Sequence, residues 1–318
     1  MASEPVSPTP QLPQQSSSHY DGVQLGYLYA AAGAVLFSTK AIIIKLAYAE
    51  TISAESLLTL RLGLALPVYL VVGGLALRHR SRRGHDLPPA RFVIQSALVG
   101  ALGFWFASYM DFLGLQYISA QFERLILFTY PLFVVLFGAA FFRQPIKAHT
   151  LSAFGVSYFG LALVFTENFS LEGEGIAVGS ALVLTSAIAF ALYQLLAKEA
   201  ITRIGPRLFT CIAMLGATLA AIIPFVAMED LGAILVGPRL LWYGILIAIF
   251  ATVLPSFFLS EALHRISAQA NGIIGILSPL VTIILAALIL GESMTPVGVI
   301  GAALVLGGVG WFTLAKKS

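Results

Sequence analysis

Ten separate runs of roughly 20 apolar residues dominate this chain, and nothing else in it constrains the fold as tightly. A helix rises about 1.5 Å per residue, so each run is long enough to cross the ~30 Å hydrocarbon layer of a bilayer. The runs fall near 25–48, 55–77, 92–115, 121–142, 149–167, 176–198, 207–228, 240–262, 269–290 and 296–315. Inside a bilayer no water satisfies backbone amides and carbonyls, so such runs are expected to be helices. Composition agrees: 58% of the 318 residues are apolar and 10% charged, with a mean hydropathy of +0.92. Soluble domains are about a quarter charged. The expected fold class is an all-α integral membrane protein with ten transmembrane helices, and the remaining residues leave little room for a folded soluble domain.

Residues 1–24 carry four prolines, several Ser and Gln, and no Lys or Arg, which predicts a disordered tail. The tail has neither the basic start nor the short apolar core of a secretory signal, so the first span is expected to double as the insertion signal. The basic residues then set the orientation. With the amino terminus in the cytoplasm, thirteen of the 18 Lys and Arg fall on the inner side and only Arg239 in an outer loop. Lys40, Lys45, Arg61 and Arg124 fall within spans. The longest outer connection, ENFSLEGEG, is acidic. Both termini are therefore expected to be cytoplasmic.

A repeat organises the spans. ISAQ at Ile118 to Gln121 recurs as ISAQ at Ile266 to Gln269, an offset of 148 residues, and the register then holds. Pro131 meets Pro279, Gln144 meets Glu292, and Gly160 meets Gly308. The expected units are a first repeat at 25–167, an outer connection at 168–175 and a second repeat at 176–315. Five crossings per repeat is an odd number, so the second copy must enter the membrane with opposite polarity. The two halves are then related by a pseudo-two-fold axis in the membrane plane, a geometry that secondary transporters use to open a midplane site to alternate sides.

This layout, outside the tail, resembles the EamA family of the drug/metabolite transporter superfamily. In the first span, FSTKAIIIKLAY is similar to that family's pattern at Phe37, Ser38, Thr39 and Lys45, and TLRLGLAL places Arg61 at its usual arginine. ISAQ, SPL and LGES in the second half resemble its strongest signature, with Pro279 and Glu292 at the marked positions. The first half departs from it at RQPIK, where Gln144 stands in place of the more usual Glu. The resemblance implies a transporter fold and favours export across the bacterial inner membrane.

Transport candidates come from helix breaks, intramembrane charges and aromatic stripes. Pro131 and Pro279 lie mid-span, where each lacks an amide donor and frees carbonyls near Leu127 and Gly275. Such breaks are expected to face protein or a wet cavity, with Tyr130, Asn271 and Ser278 at the same depth offering hydrogen bonds. The charges Lys40, Arg61, Asp111, Glu123 and Arg124 lean toward the outer half. A charge deep in a span costs about 2.5–3.5 kcal/mol, so each should be paired or face water. One reading is an electropositive vestibule built on Lys40 and Arg61; the other is a structural ion pair of each with Asp111 or Glu123. Trp105, Tyr109 and Phe112 form an aromatic stripe that, with Tyr193, would stack a planar solute, or would pack against neighbouring helices.

Other function classes fit less well. No span centre carries the carboxylate that binds lipophilic cations in small multidrug exporters. The five histidines sit in the tail, in loops or near span ends, and no zinc, aspartate-pair or Ser/His constellation is present. The single cysteine, Cys211, allows no intrachain disulfide. A passive channel would not need an inverted repeat. The expectation is a secondary transporter of a small organic metabolite, amino-acid-like or anionic, working by alternating access in the cytoplasmic membrane. Its partners would be the lipid bilayer, a small-molecule substrate and a coupling ion. Nothing points to nucleic acid, a metal or a cofactor, and the sequence carries no signal for an oligomer.

Overall fold

The computed structural model describes residues 16–84, 86–142, 148–172, 175–228, 236–266, 271, 274–275 and 277–315. Among these the chain is helical, with no strand. Among the described residues seven helices are long and apolar enough to cross a membrane, namely α1 (Ser16–Tyr48), α2 (Ala54–Arg82), α3 (Ala90–Gly114), α4 (Ala120–Phe141), α6 (Gly175–Ile204), α7 (Pro206–Met228) and α8 (Pro238–Arg265). The apolar parts of α5 (Ala148–Glu172), α9 (Leu277–Leu290) and α10 (Pro296–Ala315) are shorter. The molecule is a multi-pass membrane protein by length and composition of its helices.

Helix starts follow local chemistry. Ser53 caps α2 by accepting from the Ser56 amide at 3.1 Å, and Ser119 caps α4 by accepting from the Phe122 amide at 3.2 Å. Two boundaries differ from the sequence reading. The first helix begins at Ser16, within the stretch expected to be tail, while residues 1–15 lie outside the described set. Helix α5 continues to Glu172 and α6 starts at Gly175, so most of the expected outer connection is helical. ENFSLE contains no Gly or Pro to stop the helix. Gln144 and the Ser267–Gln269 part of the second ISAQ lie outside the described residues.

Helix pairing is reciprocal. α1 packs on α8 and α9, while α6 packs on α3 and α4; α2 packs on α7 and α8, while α7 packs on α2 and α3; α5 packs on α10. Small residues set the closest approaches, as expected where lipid supplies no hydrophobic drive between helices. Gly26 lies against Arg265 and Gly33 against Phe258, so α1 and α8 run antiparallel. Gly103 lies against Tyr193 and Gly114 against Val183, so α3 and α6 do too.

Among the described residues three segments are wound as π-helix: Ala101–Phe106 in α3, Ile249–Val253 in α8 and Ala286–Leu290 in α9. The first two begin at positions separated by the repeat offset. In α8 the cause is visible in the sequence. Pro255 has no amide to give the carbonyl four residues earlier, and the Thr252 hydroxyl donates to the Ile247 carbonyl at 2.9 Å. The principal core, including Tyr69, Phe112, Phe209 and Met214, joins residues of α1, α2, α3, α6, α7 and α8.

Candidate functional site

Two adjoining cavities lie at the centre of the helix packing. The larger, ≈ 90 Å³, is walled by α1 (Ala30 to Phe37), α4 (Arg124, Leu127, Phe128, Tyr130), α6 (Phe190, Gln194), α8 (Pro255, Leu259), and Asn271, Gly275 and Ser278. At about 10–15 Å³ per water it holds several water-sized groups. The smaller, ≈ 30 Å³, is walled by Lys40, Arg61, Ser186 and the π-wound segments of α3 and α8, through Gly103, Phe104, Ala251 and Thr252. Phe37, Leu127 and Phe190 border both cavities. An apolar partition of three side chains thus separates them.

The larger cavity lies toward the end of α1 that packs on Arg265, and the smaller one further along α1 toward Tyr48. Their chemistry differs accordingly. Tyr130, Gln194, Asn271 and Ser278 give the larger cavity neutral donors and acceptors, with Arg124 as its cation. The smaller cavity holds two cations, Lys40 and Arg61.

Each cation is tied to a different partner. The Lys40 ammonium donates to the Asp111 carboxylate at 2.6 Å with both side chains buried, and sits 5.4 Å from the Phe37 ring centre. This is the ion pair that the sequence left as one alternative for Lys40. Arg61 pairs with neither carboxylate. Its guanidinium donates to the Phe104 carbonyl and the Ser108 hydroxyl, each at 3.1 Å, and lies 5.1 Å from the Phe112 ring centre. Phe104 belongs to the π-wound part of α3, where widening of the helix leaves a carbonyl free to accept. Arg124 donates to the Phe37 carbonyl at 3.3 Å, and its Nε lies 3.6 Å from Glu123. Among the described residues, neither oxygen of the wholly buried Glu123 carboxylate accepts a hydrogen bond.

The helix breaks fall where the cavities are. In α4 the helical run stops at Leu127 and resumes at Tyr130, so the interruption sits one turn ahead of Pro131 at Phe128 and Thr129. The Thr129 hydroxyl donates back to the Ile126 carbonyl at 2.7 Å. Pro279 is buried in α9, next to Ser278. Ser278 is bound to α1: the Ser38 hydroxyl lies 3.0 Å from its carbonyl, and the Thr282 hydroxyl donates to the Ser38 carbonyl at 3.2 Å.

Of the residues singled out in the sequence, Lys40, Arg61, Tyr130, Asn271 and Ser278 line these cavities. Trp105, Tyr109 and Tyr193 do not. Trp105 and Tyr109 pack against the principal core, and Tyr193 is buried between Phe104, edge-on at 5.0 Å, and Phe190, stacked at 5.7 Å. Winding Ala101–Phe106 as π-helix adds residues to a turn, which turns the aromatic stripe of α3 away from the face an unbroken helix would give it. Arg124, named in the sequence only as an intramembrane charge, also lines the larger cavity, whereas Gln194, Phe190 and the π-wound segments of α3 and α8 were missed. Pro255 signals only the second of those segments.

Glu292, placed by the sequence in a loop signature, has a structural task. Its carboxylate accepts from the Ala120 and Gln121 amides at 2.9 and 3.1 Å, while the Gln121 side chain donates to its carbonyl at 3.0 Å. LGES of the second half therefore caps the ISAQ helix of the first.

Buried cations and polar groups around a central cavity, within a helical membrane protein, mark the transporter class. The EamA-like transporter family model matches residues 24–166 and again 177–314. The chain belongs to that family. Similar proteins include the uncharacterized transporter YcbK of Bacillus subtilis, 29% identical over 87% of this chain and 88% of that protein. An uncharacterized transporter of Clostridium kluyveri is 24% identical over 92% of this chain and 94% of its own length. A solved crystal structure aligns with a TM-score of 0.60 at 16% identity, over 94% of this chain and 98% of the other, which shows a shared fold. Family and relatives point to a transporter rather than an enzyme.

Proposed function

We propose that this protein is a secondary transporter with ten membrane crossings in two inverted five-helix repeats. It moves a small anionic or amino-acid-like metabolite by alternating access. Export is the favoured direction, across a bacterial inner membrane with both termini in the cytoplasm.

One observation carries this reading: close contacts between α5 and α10 repeat at the sequence offset. A Cβ at Gly160 would meet Gly301, Leu304 and Val305; a Cβ at Gly308 would meet Ala153 and Ser157. Adding 148 to Gly160, and subtracting it from Gly301 and Val305, turns the first set into the second. The Ser157 hydroxyl donates to the Val305 carbonyl at 3.4 Å, a bond between equivalent positions. The reciprocal helix pairing and the matched π-wound segments support the same axis. Two copies of opposite polarity can exchange conformations, so that whichever way the outer helices lean, the central cavity opens to one side.

The cations supply the preference for an anion. Lys40 and Arg61 stand on one side of the Phe37, Leu127 and Phe190 partition, and Arg124 stands on the other. A carboxylate moving between the cavities meets a cation at each end.

Reporter tags fused after Ala120 and after Ala268 test the inverted repeat, which requires them on opposite membrane faces. Transport is tested in liposomes with labelled amino acids and organic acids, with and without a proton gradient. The solute must emerge chemically unchanged. If transport of every active substrate keeps its affinity in Lys40→Ala and Arg61→Ala, the assignment of these cations to binding is wrong.

A further inference from the structure

A third cavity, with none of the lining residues of the first two, opens where the end of α2, the start of α7 and the end of α8 meet, with a volume of ≈ 950 Å³. Its wall carries six arginines: Arg78, Arg80, Arg82 and Arg83 from α2, Arg207 from α7 and Arg265 from α8. Glu261 is the one acidic side chain among the described lining residues, and it is already shared, lying 3.3 Å from both Arg207 and Arg265. Arg80 is turned to the Asp86 carbonyl at 2.9 Å.

The carbonyl ends of α2, α6 and α8 and the amide end of α7 meet at this space, through Arg82, Ile204, Arg265 and Pro206, and the arginines outnumber its one carboxylate. Beneath the arginines the wall turns apolar, through Val72, Leu75, Ala76 and Leu208, and Leu75 is 59% exposed. A basic rim over an apolar floor matches a molecule with an anionic head and a hydrocarbon tail.

We infer that this cavity binds an anionic phospholipid, with its phosphate among Arg78, Arg82 and Arg207 and one acyl chain along Leu75 and Val72. A soluble phosphate would satisfy the rim and leave the floor bare. A zwitterionic lipid would cover the floor and leave the arginines without net compensation. Basic residues beside a membrane attract anionic headgroups with a strength that falls as salt rises. The site is independent of the transported solute.

The test uses purified full-length protein in detergent, titrated with phosphatidylglycerol, with phosphatidylcholine of the same chains, and with inorganic phosphate. Bound lipid is counted by native mass spectrometry. Phosphatidylglycerol should bind at least about tenfold more tightly than phosphatidylcholine, with the gap closing at high salt. Removing two rim charges, Arg78→Gln with Arg207→Gln, should weaken phosphatidylglycerol about thirtyfold and leave phosphatidylcholine unchanged. Glu261→Gln releases two arginines from their shared partner and should strengthen phosphatidylglycerol, a gain that misfolding cannot imitate. The control Arg203→Gln, outside the cavity, should change nothing. Equal binding of the two lipids, or equal loss in the Arg203→Gln control, would overturn the inference. So would competition by millimolar inorganic phosphate that removes the lipid preference entirely, since the rim would then be a free-anion site.

Discussion

Lys40 and Asp111 offer the most discriminating perturbation in the molecule. Their 2.6 Å pair has side-chain exposures of 5% and 1%, so neither charge has water to fall back on. Removing one partner from a buried pair typically costs about 3–5 kcal/mol, because the other is stranded. Replacing both with apolar residues of similar size is often neutral or stabilising. The geometry here selects the lower end of that range, because the buried Glu123 carboxyl stands against the same pair, hydrogen-bonded to Asp111, and stays beside Lys40 when Asp111 is lost. Asp111→Leu should therefore lose about 3 kcal/mol, somewhat over a hundredfold in the unfolding constant. Lys40→Met should lose a similar amount, and the double variant should come within about 1 kcal/mol of the native protein or exceed it. The assay is equilibrium unfolding of the purified protein in mixed micelles by a denaturing detergent, read as a double-mutant cycle. The reasoning fails if Asp111→Leu costs under about 0.5 kcal/mol, or if the double variant is as unstable as the two single losses added together. Transport separates the roles further: a solute that competes with Asp111 for Lys40 should bind more tightly to Asp111→Leu and be lost in Lys40→Met.

Perturbations at four other positions address packing, capping and the partition. Gly160→Val places a side chain against Gly301 and Leu304, where a Cβ alone would sit 2.6 Å from each, and should lower stability by about 1–3 kcal/mol in thermal unfolding. Gly63→Ala, which meets nothing within 4 Å, should be neutral or stabilising in the same assay. Glu292→Ala removes the acceptor of two first-turn amides of α4 and should cost about 1–2 kcal/mol, with Glu292→Gln recovering part of the loss. Phe37→Ala opens the partition between the cavities and removes the ring beside Lys40; it should raise passive leak of small anions from loaded liposomes, and a leak no greater than that of the native protein would remove the partition from the mechanism.

The sequence was most legible where one physical demand acts on a whole segment. A bilayer-length apolar run such as Gly175–Ile204 must be helical, whatever its neighbours do. The cavity was legible in part, through polar groups that have no cheap place in a span: Lys40, Arg61 and Asn271 line it because lipid would not accept them. Aromatic residues gave no such signal. Trp105 and Tyr193 are satisfied by packing or by solute contact alike, and the three-four spacing used to group Trp105 with Tyr109 assumes a uniform helix that α3 does not have. The same limit explains Glu292. Its partners, the Ala120 and Gln121 amides, lie in the other half of the chain, and no local pattern says which helix end a loop carboxylate will reach. The repeat removes some of this blindness. The offset that aligns ISAQ with ISAQ also aligns Ala101 with Ile249, where the two π-wound segments begin. Pro255 makes the second of these readable and the offset carries it to the first, although the third π-wound segment, Ala286–Leu290, has an α-helical counterpart at 138–142. The segments of α3 and α8 wall the cavity that holds Lys40 and Arg61. A π-wound turn leaves backbone groups in want of partners, and at Phe104 that partner is Arg61, so one backbone irregularity positions a buried cation that has no carboxylate of its own.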